Sequence, residues 1–106
     1  MHSNCFESAV RGVALEAMKA NGDGNMPIWI TELGSEQKND NMQAAELRAY
    51  VEAAHGMPEV HRFHYFQYVY PGEYWGLVNW SADAKQNRTP RKSLFEYRDV
   101  IRELRR

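Results

Sequence analysis

The sequence has few of the features that would identify particular classes of protein. Its only cysteine, Cys5, excludes a disulfide within the chain, and the residue type predicts a small buried side chain. The 13 basic and 14 acidic side chains give a formal net charge of −1, without long runs of one sign. We therefore expect no nucleic-acid partner bound through a basic patch. No apolar run approaches the roughly 20 residues of a membrane span, so no membrane partner is expected.

Motifs for metals and phosphate groups are also missing. His61 and His64 are three residues apart on a predicted strand, which directs them to opposite faces of a sheet and prevents them from forming a metal-binding pair. No glycine-rich phosphate loop is found, since Gly22 and Gly24 are too few and precede a strand. The sequence therefore predicts neither a metal site nor a cofactor.

Apolar residues recur in patterns that predict helices alternating with strands. Helical stripes cover residues 6–20, 40–56 and 90–104, and runs typical of strands cover residues 26–34 and 60–69. The order helix, strand, helix, strand, helix predicts an α/β fold in which the strands are parallel. Arg91 and Lys92, at the start of the last helix, are expected to be surface charges.

The run MPIWITELG at residues 26–34 is the most informative stretch. Its β-branched and aromatic residues lack polar alternation, which predicts a strand buried on both faces, with Trp29 in the core. Glu32 follows where the strand leaves the sheet. A charge is costly to bury there unless it forms an ion pair or serves a function. A solvated loop residue, a salt-bridge partner and a catalytic group all remain open for Glu32.

Two parallel strands are too few for a self-sufficient sheet. A parallel sheet is normally covered on both faces, and unpaired strand edges favour association with other strands. We therefore expect the chain to be the carboxyl-terminal part of a larger α/β barrel. Self-association through the open strand edges is a further expectation.

Several passages resemble one family of enzymes. Residues 27–34, PIWITELG, resemble the strand-seven motif of the clan A retaining glycoside hydrolases, which have a (β/α)8 TIM barrel and include family 39 and family 5. The second strand resembles strand eight, and residues 75–79 followed by 89–95 resemble the passage into the last helix. The resemblance runs from about helix six to helix eight. It implies that residues 1–106 are a single C-terminal fragment of the catalytic barrel.

This resemblance implies hydrolysis of O-glycosidic bonds in an oligosaccharide or polysaccharide, with Glu32 as nucleophile. The acid/base of the clan is a glutamate in an Asn-Glu pair after strand four, and this sequence contains no such pair. The chain alone is therefore expected to be inactive. Glu36 and Glu73 could replace the acid/base, but loop carboxylates of this kind are expected to be merely solvated.

The sequence departs from the clan near the end of strand eight. The clan commonly places a tryptophan there beneath the sugar, whereas this chain has Gln67. Tyr65, Gln67, Tyr68 and Trp75 are the candidate substrate contacts. The alternative is a non-catalytic α/β carbohydrate-binding or interaction module derived from a barrel, in which Glu32 is a salt-bridge partner.

Overall fold

The helices and strands occur in the predicted order. A computed structural model describes residues 3–81 and 88–105 of the chain, which form three helical segments and two parallel strands in an open sheet. The first segment joins α1 (Ser3–Ser8), a π-helical stretch (Ala9–Ala14) and α2 (Leu15–Ala20) without a break. After it come β1 (Ile28–Leu33), α3 (Asp40–His55), β2 (Val60–Tyr65) and α4 (Lys92–Leu104). The second strand thus ends four residues earlier than the predicted 60–69.

The two strands pair directly with each other, with α3 as the crossover between them. Ile28 lies opposite Val60 and Leu33 lies opposite Tyr65, with register shifts between these pairs. The sheet of the described residues has only these two strands, so each strand has one edge without a strand partner there. The carboxyl ends of both strands lie at the same edge of the molecule, where the loops 34–39 and 66–76 follow.

Helices cover one face of the sheet. The ring of Phe6 packs edge-to-face against Tyr50 and Phe63, with centroid distances of 6.2 and 6.4 Å. Such contacts bury apolar surface, the main source of stability in a small domain. Buried apolar side chains form two adjoining clusters: Phe6, Val10, Tyr50, Ala54 and Met57 in the first, and Leu47, Val51, Leu77 and Val100 in the second.

The prediction that the first strand is buried on both faces is wrong for the described residues. Ile28 and Ile30 are half-buried against the helices, whereas Trp29 and Thr31 on the opposite face are exposed. Trp29, expected in the core, is 58% exposed, and the guanidinium of Arg62 lies 5.1 Å from the centre of its ring. The cause is that helices pack on a single face of this sheet, so the other face remains open.

The first helical segment also differs from expectation. Phe6 and Val10 are buried, but Val13 is 70% exposed and α2 contributes no buried residue. Cys5, predicted to be buried, is exposed, because the adjacent Phe6 occupies the inward position. Only the amino-terminal part of the apolar stripe therefore packs on α3. Among the described helices, none is long and apolar enough to cross a membrane.

Candidate functional site

The cavity of interest lies at the carboxyl end of the strands, beside Glu32. Glu32 is the second-last residue of β1, and its side chain is exposed. No residue in the described ranges 3–81 and 88–105 forms a hydrogen bond or an ion pair with the Glu32 carboxylate. The cavity measures about 550 Å³ and is lined by Glu32, Leu33, Gly34, Ser35, Glu36, Gln37, Glu46, Tyr50, Phe66 and Trp75.

A close backbone approach joins the two loops that form the cavity. The amide of Phe66 donates to the Leu33 carbonyl at 2.9 Å, which continues the strand pairing by one hydrogen bond. A Cβ atom on Gly34 would lie 1.9 Å from the Phe66 carbonyl oxygen, so only glycine fits at this position. The peptide bond between Phe66 and Gln67 is cis. The loop after β1 and the loop after β2 thus meet directly beyond the sheet.

Two aromatic rings form one side of the cavity. Phe66 and Trp75 pack edge-to-face, with their ring centres 5.8 Å apart and their planes at 74°. Phe66 also contacts Tyr70 edge-to-face, with ring centres 5.8 Å apart. The half-buried Trp75 therefore has a fixed neighbour within the cavity, and such rings can stack on the C–H faces of a ligand.

The carboxylate of Glu46 lies in the same cavity, but each of its oxygens accepts a hydrogen bond. Ser35 Oγ donates to Glu46 Oε2 at 2.5 Å, and Gln37 Nε2 donates to Glu46 Oε1 at 3.0 Å. These contacts tie α3 to the loop that follows Glu32. Glu46 therefore holds this loop against α3, whereas no described residue binds the exposed Glu32 carboxylate.

Tyr65 lies beneath the loop rather than in the cavity wall. Its hydroxyl accepts a hydrogen bond from the Ser35 amide at 3.4 Å. Burial raises the pKa of Tyr65 to about 12, although the Ser35 amide acts in the opposite direction. The side chain is therefore neutral throughout the physiological range, and its contribution is to support Ser35.

Glu36 lines the cavity, and Glu73 contacts the cavity residue Trp75. Trp75 Nε1 donates to Glu73 Oε2 at 2.8 Å. A hydrogen bond to Glu73, loss of hydration and the charge of Glu73 raise the pKa of Glu36, and the hydrogen bond with Trp75 acts in the opposite direction. Both carboxyl groups are exposed as expected, and Glu73 in addition accepts the indole hydrogen bond of Trp75.

Arg91 anchors the loops from below. Its side chain is only 2% exposed, so the prediction of a surface charge is wrong for Arg91, whereas Lys92 is exposed. The guanidinium donates to Asp40 at 2.8 Å, to the Tyr74 carbonyl at 2.7 Å and to the Gln37 carbonyl at 2.5 Å. One buried cation thus holds the start of α3 and both cavity loops together.

The structure brings some of the predicted site residues together and separates others. Glu32 and Trp75 line the cavity, and Tyr65 supports it from beneath. Gln67 and Tyr68 are not among the lining residues, and Tyr68 is 62% exposed. Their carbonyls instead accept hydrogen bonds from the Leu77 amide, at 3.1 and 2.8 Å, respectively. Phe66 occupies the cavity wall where the sequence predicted Gln67.

The cavity offers carboxylates and aromatic rings to a ligand. Among residues 3–81 and 88–105, no three histidine, cysteine or carboxylate side chains lie close enough together to hold a metal ion. Comparisons of the chain with protein-family models, with curated proteins and with solved structures found no match. A carboxylate beside aromatic rings suits nucleophilic attack or hydrogen bonding on a polyhydroxylated substrate.

Proposed function

We propose that the chain supplies the last strands of a (β/α)8 barrel that hydrolyses glycosides with retention, and that Glu32 is its nucleophile. The observation that supports this most strongly is the exposed Glu32 carboxylate near the carboxyl end of a parallel strand, in a cavity with aromatic walls. Catalytic groups of barrel enzymes occupy this end of the strands. A glycosidic substrate fits because aromatic rings stack on sugar rings and a carboxylate can attack the anomeric carbon.

The proposed reaction has two displacement steps. Glu32 attacks the anomeric carbon and forms a covalent glycosyl-enzyme, while a second carboxyl group protonates the departing oxygen. That group then deprotonates a water molecule, which releases the sugar from Glu32 with its original configuration. The two carboxyl groups of a retaining enzyme are about 5–5.5 Å apart.

The second carboxyl group is proposed to come from another strand of the barrel. Glu46 is unsuitable because both of its oxygens accept hydrogen bonds from Ser35 and Gln37. The open edges of the sheet and its exposed face, which carries Trp29, are consistent with further strands lying against them.

The decisive experiment uses the complete polypeptide encoded by the reading frame that contains this sequence. The parent and the Glu32→Gln variant are assayed on a panel of activated aryl β-glycosides, since glutamine preserves the shape but cannot act as the nucleophile. We expect kcat to fall by several orders of magnitude, with an unchanged circular dichroism spectrum. Glu16→Gln, an exposed substitution on α2, is the matched control and should retain full activity.

A covalent intermediate gives a second readout. A slowly hydrolysed 2-fluoro glycoside should add its sugar mass to the peptide that contains Glu32. Activity that survives Glu32→Gln, or label on another peptide, would overturn the assignment. A parent that binds oligosaccharides without cleaving them would instead identify the non-catalytic carbohydrate-binding module, for which the Phe66–Trp75 wall is the supporting observation.

A further inference from the structure

A second, smaller cavity lies beside the loop that follows β2. It measures about 230 Å³, and its lining includes two aromatic rings and three polar or charged side chains: Tyr74, Trp80, Glu73, Asn79 and Arg91. It shares no lining residue with the cavity beside Glu32. Glu73 nevertheless joins the two cavities, because its carboxylate accepts a hydrogen bond at 2.8 Å from Trp75, which lines the first. The two cavities are therefore neighbours.

The two aromatic rings of the second cavity are accessible. Tyr74 and Trp80 are 44% and 42% exposed, whereas core rings such as Tyr50 are buried. The guanidinium of Arg91 lies 6.0 Å from the centre of the Tyr74 ring, which gives this ring a fixed neighbour. Aromatic rings that remain accessible in a cavity can stack on the C–H faces of a sugar.

Asn79 offers a hydrogen-bond acceptor that the fold holds in place. Its backbone N–H donates to the Thr89 carbonyl at 2.8 Å, and its side-chain Nδ2 donates to Thr89 Oγ1 at 3.0 Å. These bonds orient the amide, and no residue in the described ranges donates to its Oδ1 atom. In this part of the chain, Oδ1 is therefore available to a ligand hydroxyl group.

Arg91 offers a donor from a buried position. A guanidinium carries five N–H groups, and the four hydrogen bonds of Arg91 use one on Nε, one on Nη1 and both on Nη2. The other N–H of Nη1 has no partner among the described residues. Because the side chain is only 2% exposed, this group has lost most of its contact with water, and a ligand oxygen in the cavity would satisfy it.

These groups together suit a sugar better than an ion. The charge of Arg91 is already paired with Asp40 at 2.8 Å, and Glu73 adds a negative charge to the cavity, so an anion such as phosphate is disfavoured. One carboxylate provides too few oxygen ligands for a divalent cation. A sugar ring has an apolar face for the aromatic rings and hydroxyl groups that both donate and accept hydrogen bonds.

We infer that the second cavity binds a sugar unit of the same glycan chain whose scissile bond lies beside Glu32. The continuity of this chain rests on the proposed function, whereas sugar binding at Trp80 does not. The inference limits the substrate to oligosaccharides and polysaccharides, because a monoglycoside can occupy only one of the two cavities. Tyr74, Asn79 and Trp80 are binding residues in this arrangement and take no part in the chemical step.

The first test observes the indole N–H of Trp80 by nuclear magnetic resonance. It uses the complete ¹⁵N-labelled polypeptide with Glu32→Gln, which prevents cleavage, and the resonance is assigned by its absence in Trp80→Phe. We expect its chemical shift to change on titration with cellotetraose or xylotetraose, with the same Kd that calorimetry gives. An unchanged shift while calorimetry detects binding would overturn the inference.

Two substitutions measure what the second cavity contributes to binding. Trp80→Ala removes a stacking ring and Asn79→Ala removes an acceptor, so each should raise the Kd for the tetrasaccharide by about two- to tenfold. Phe95→Ala is the matched control, because it removes a ring of similar exposure, 44%, from α4, and it should leave the Kd unchanged. Unaltered binding by both cavity variants would overturn the second site.

Substrate length separates contact with the ligand from a structural role, in polypeptides that retain Glu32. Trp80→Ala should lower kcat/KM about two- to tenfold for the tetrasaccharide but leave it unchanged for an aryl monoglycoside. An equal loss for both substrates would show that Trp80 only supports the fold, and would overturn the second site. Cleavage without any response of Trp80 would do the same while retaining the proposed function. A response of Trp80 in a parent that cleaves neither substrate would retain the site and contradict the proposed function.

Discussion

The helix-covered face of the sheet and the loops at its carboxyl end are held together by different forces. Leu47 of α3 and Val100 of α4 are completely buried in one apolar cluster. The loops depend instead on polar contacts, including those of Arg91 and those of Glu46 with Ser35 and Gln37. Apolar burial supplies stability without direction, whereas hydrogen bonds fix the positions of individual groups.

This difference assigns separate roles to the two regions. Apolar burial at the covered face stabilises the fold. This stability offsets the cost of ordering the loops, which hold polar groups in defined places around Glu32. Gln43 connects the regions, because its buried side chain on α3 donates to the Gly76 carbonyl at 2.9 Å and to the Tyr74 carbonyl at 3.2 Å. Substitutions in one region should therefore change stability and substitutions in the other should change the cavity, which the following predictions examine.

The largest effect on stability is expected in the covered face. Leu47→Ala removes a fully buried side chain and leaves a cavity, so the free energy of unfolding should fall by about 2–5 kcal/mol. Urea denaturation measures the change. Met42→Ala on the same helix is the control, because its side chain is 51% exposed, and should change stability by less than about 0.5 kcal/mol. Equal effects of the two substitutions would show that α3 does not pack as described.

A smaller loss is expected at the boundary of the two regions. Arg91→Met keeps most of the side-chain volume but removes the donors to Asp40, Gln37 and Tyr74, so stability should fall by about 1.5–3 kcal/mol. Amide hydrogen exchange should quicken in both cavity loops. Lys92→Met, at the adjacent exposed position, should change neither quantity appreciably. Unchanged exchange in the loops of Arg91→Met would contradict the anchoring role.

The loss of stability expected at Tyr65 is smaller than at Arg91, and it should disappear in strong alkali. Tyr65→Phe removes the acceptor for the Ser35 amide and should cost about 0.5–1.5 kcal/mol at neutral pH. The raised pKa of Tyr65 means that its stabilising contribution is complete below pH 10 and is lost as the pH rises through about 12. The stability difference between parent and variant should therefore shrink or reverse in strong alkali.

The ionisation of Tyr65 can also be followed spectroscopically, by tyrosinate absorbance in the parent minus that in Tyr65→Phe. Subtraction is needed because burial also raises the pKa of Tyr50 and Tyr97. The difference spectrum should titrate with a midpoint near 12. A midpoint near 10 would show that Tyr65 is not buried beneath the loop.

The fold could be predicted from the sequence where local patterns determine it. The periodicity of apolar residues gave the order of the elements, and their alternation through α3 correctly predicted a parallel pairing of β1 with β2. The burial of individual residues was less predictable. Arg91 looks like an ordinary surface cation in the sequence, since the carbonyls of Gln37 and Tyr74 that it binds are 54 and 17 residues away. Trp29 was misplaced because its residue type favours a core, whatever covers the strand.

The site could be predicted only in part for a similar reason. Glu32 stands out because it interrupts an apolar run, and Trp75 because it follows a Pro-Gly turn. Glu46 lies within an amphipathic helix, and nothing near it in the sequence indicates that Ser35 will bind it. The best overlooked signal was Gly34, since a glycine directly after a strand can indicate a close approach between backbones. That approach brings Phe66, rather than Gln67, into the cavity wall.

The smallest effect is expected on the open face of the sheet, and it depends on what covers that face. In the 106-residue chain, Trp29→Ala should change the free energy of unfolding by little more than about 0.5 kcal/mol, because the ring is mainly exposed and contacts Arg62. In a complete barrel the same ring would be buried, and its removal should cost about 3–5 kcal/mol. Parallel urea titrations of the short chain and the complete polypeptide measure both values. A small effect in both would mean that no further layer covers this face. The proposal of a complete barrel would then lose its main structural argument.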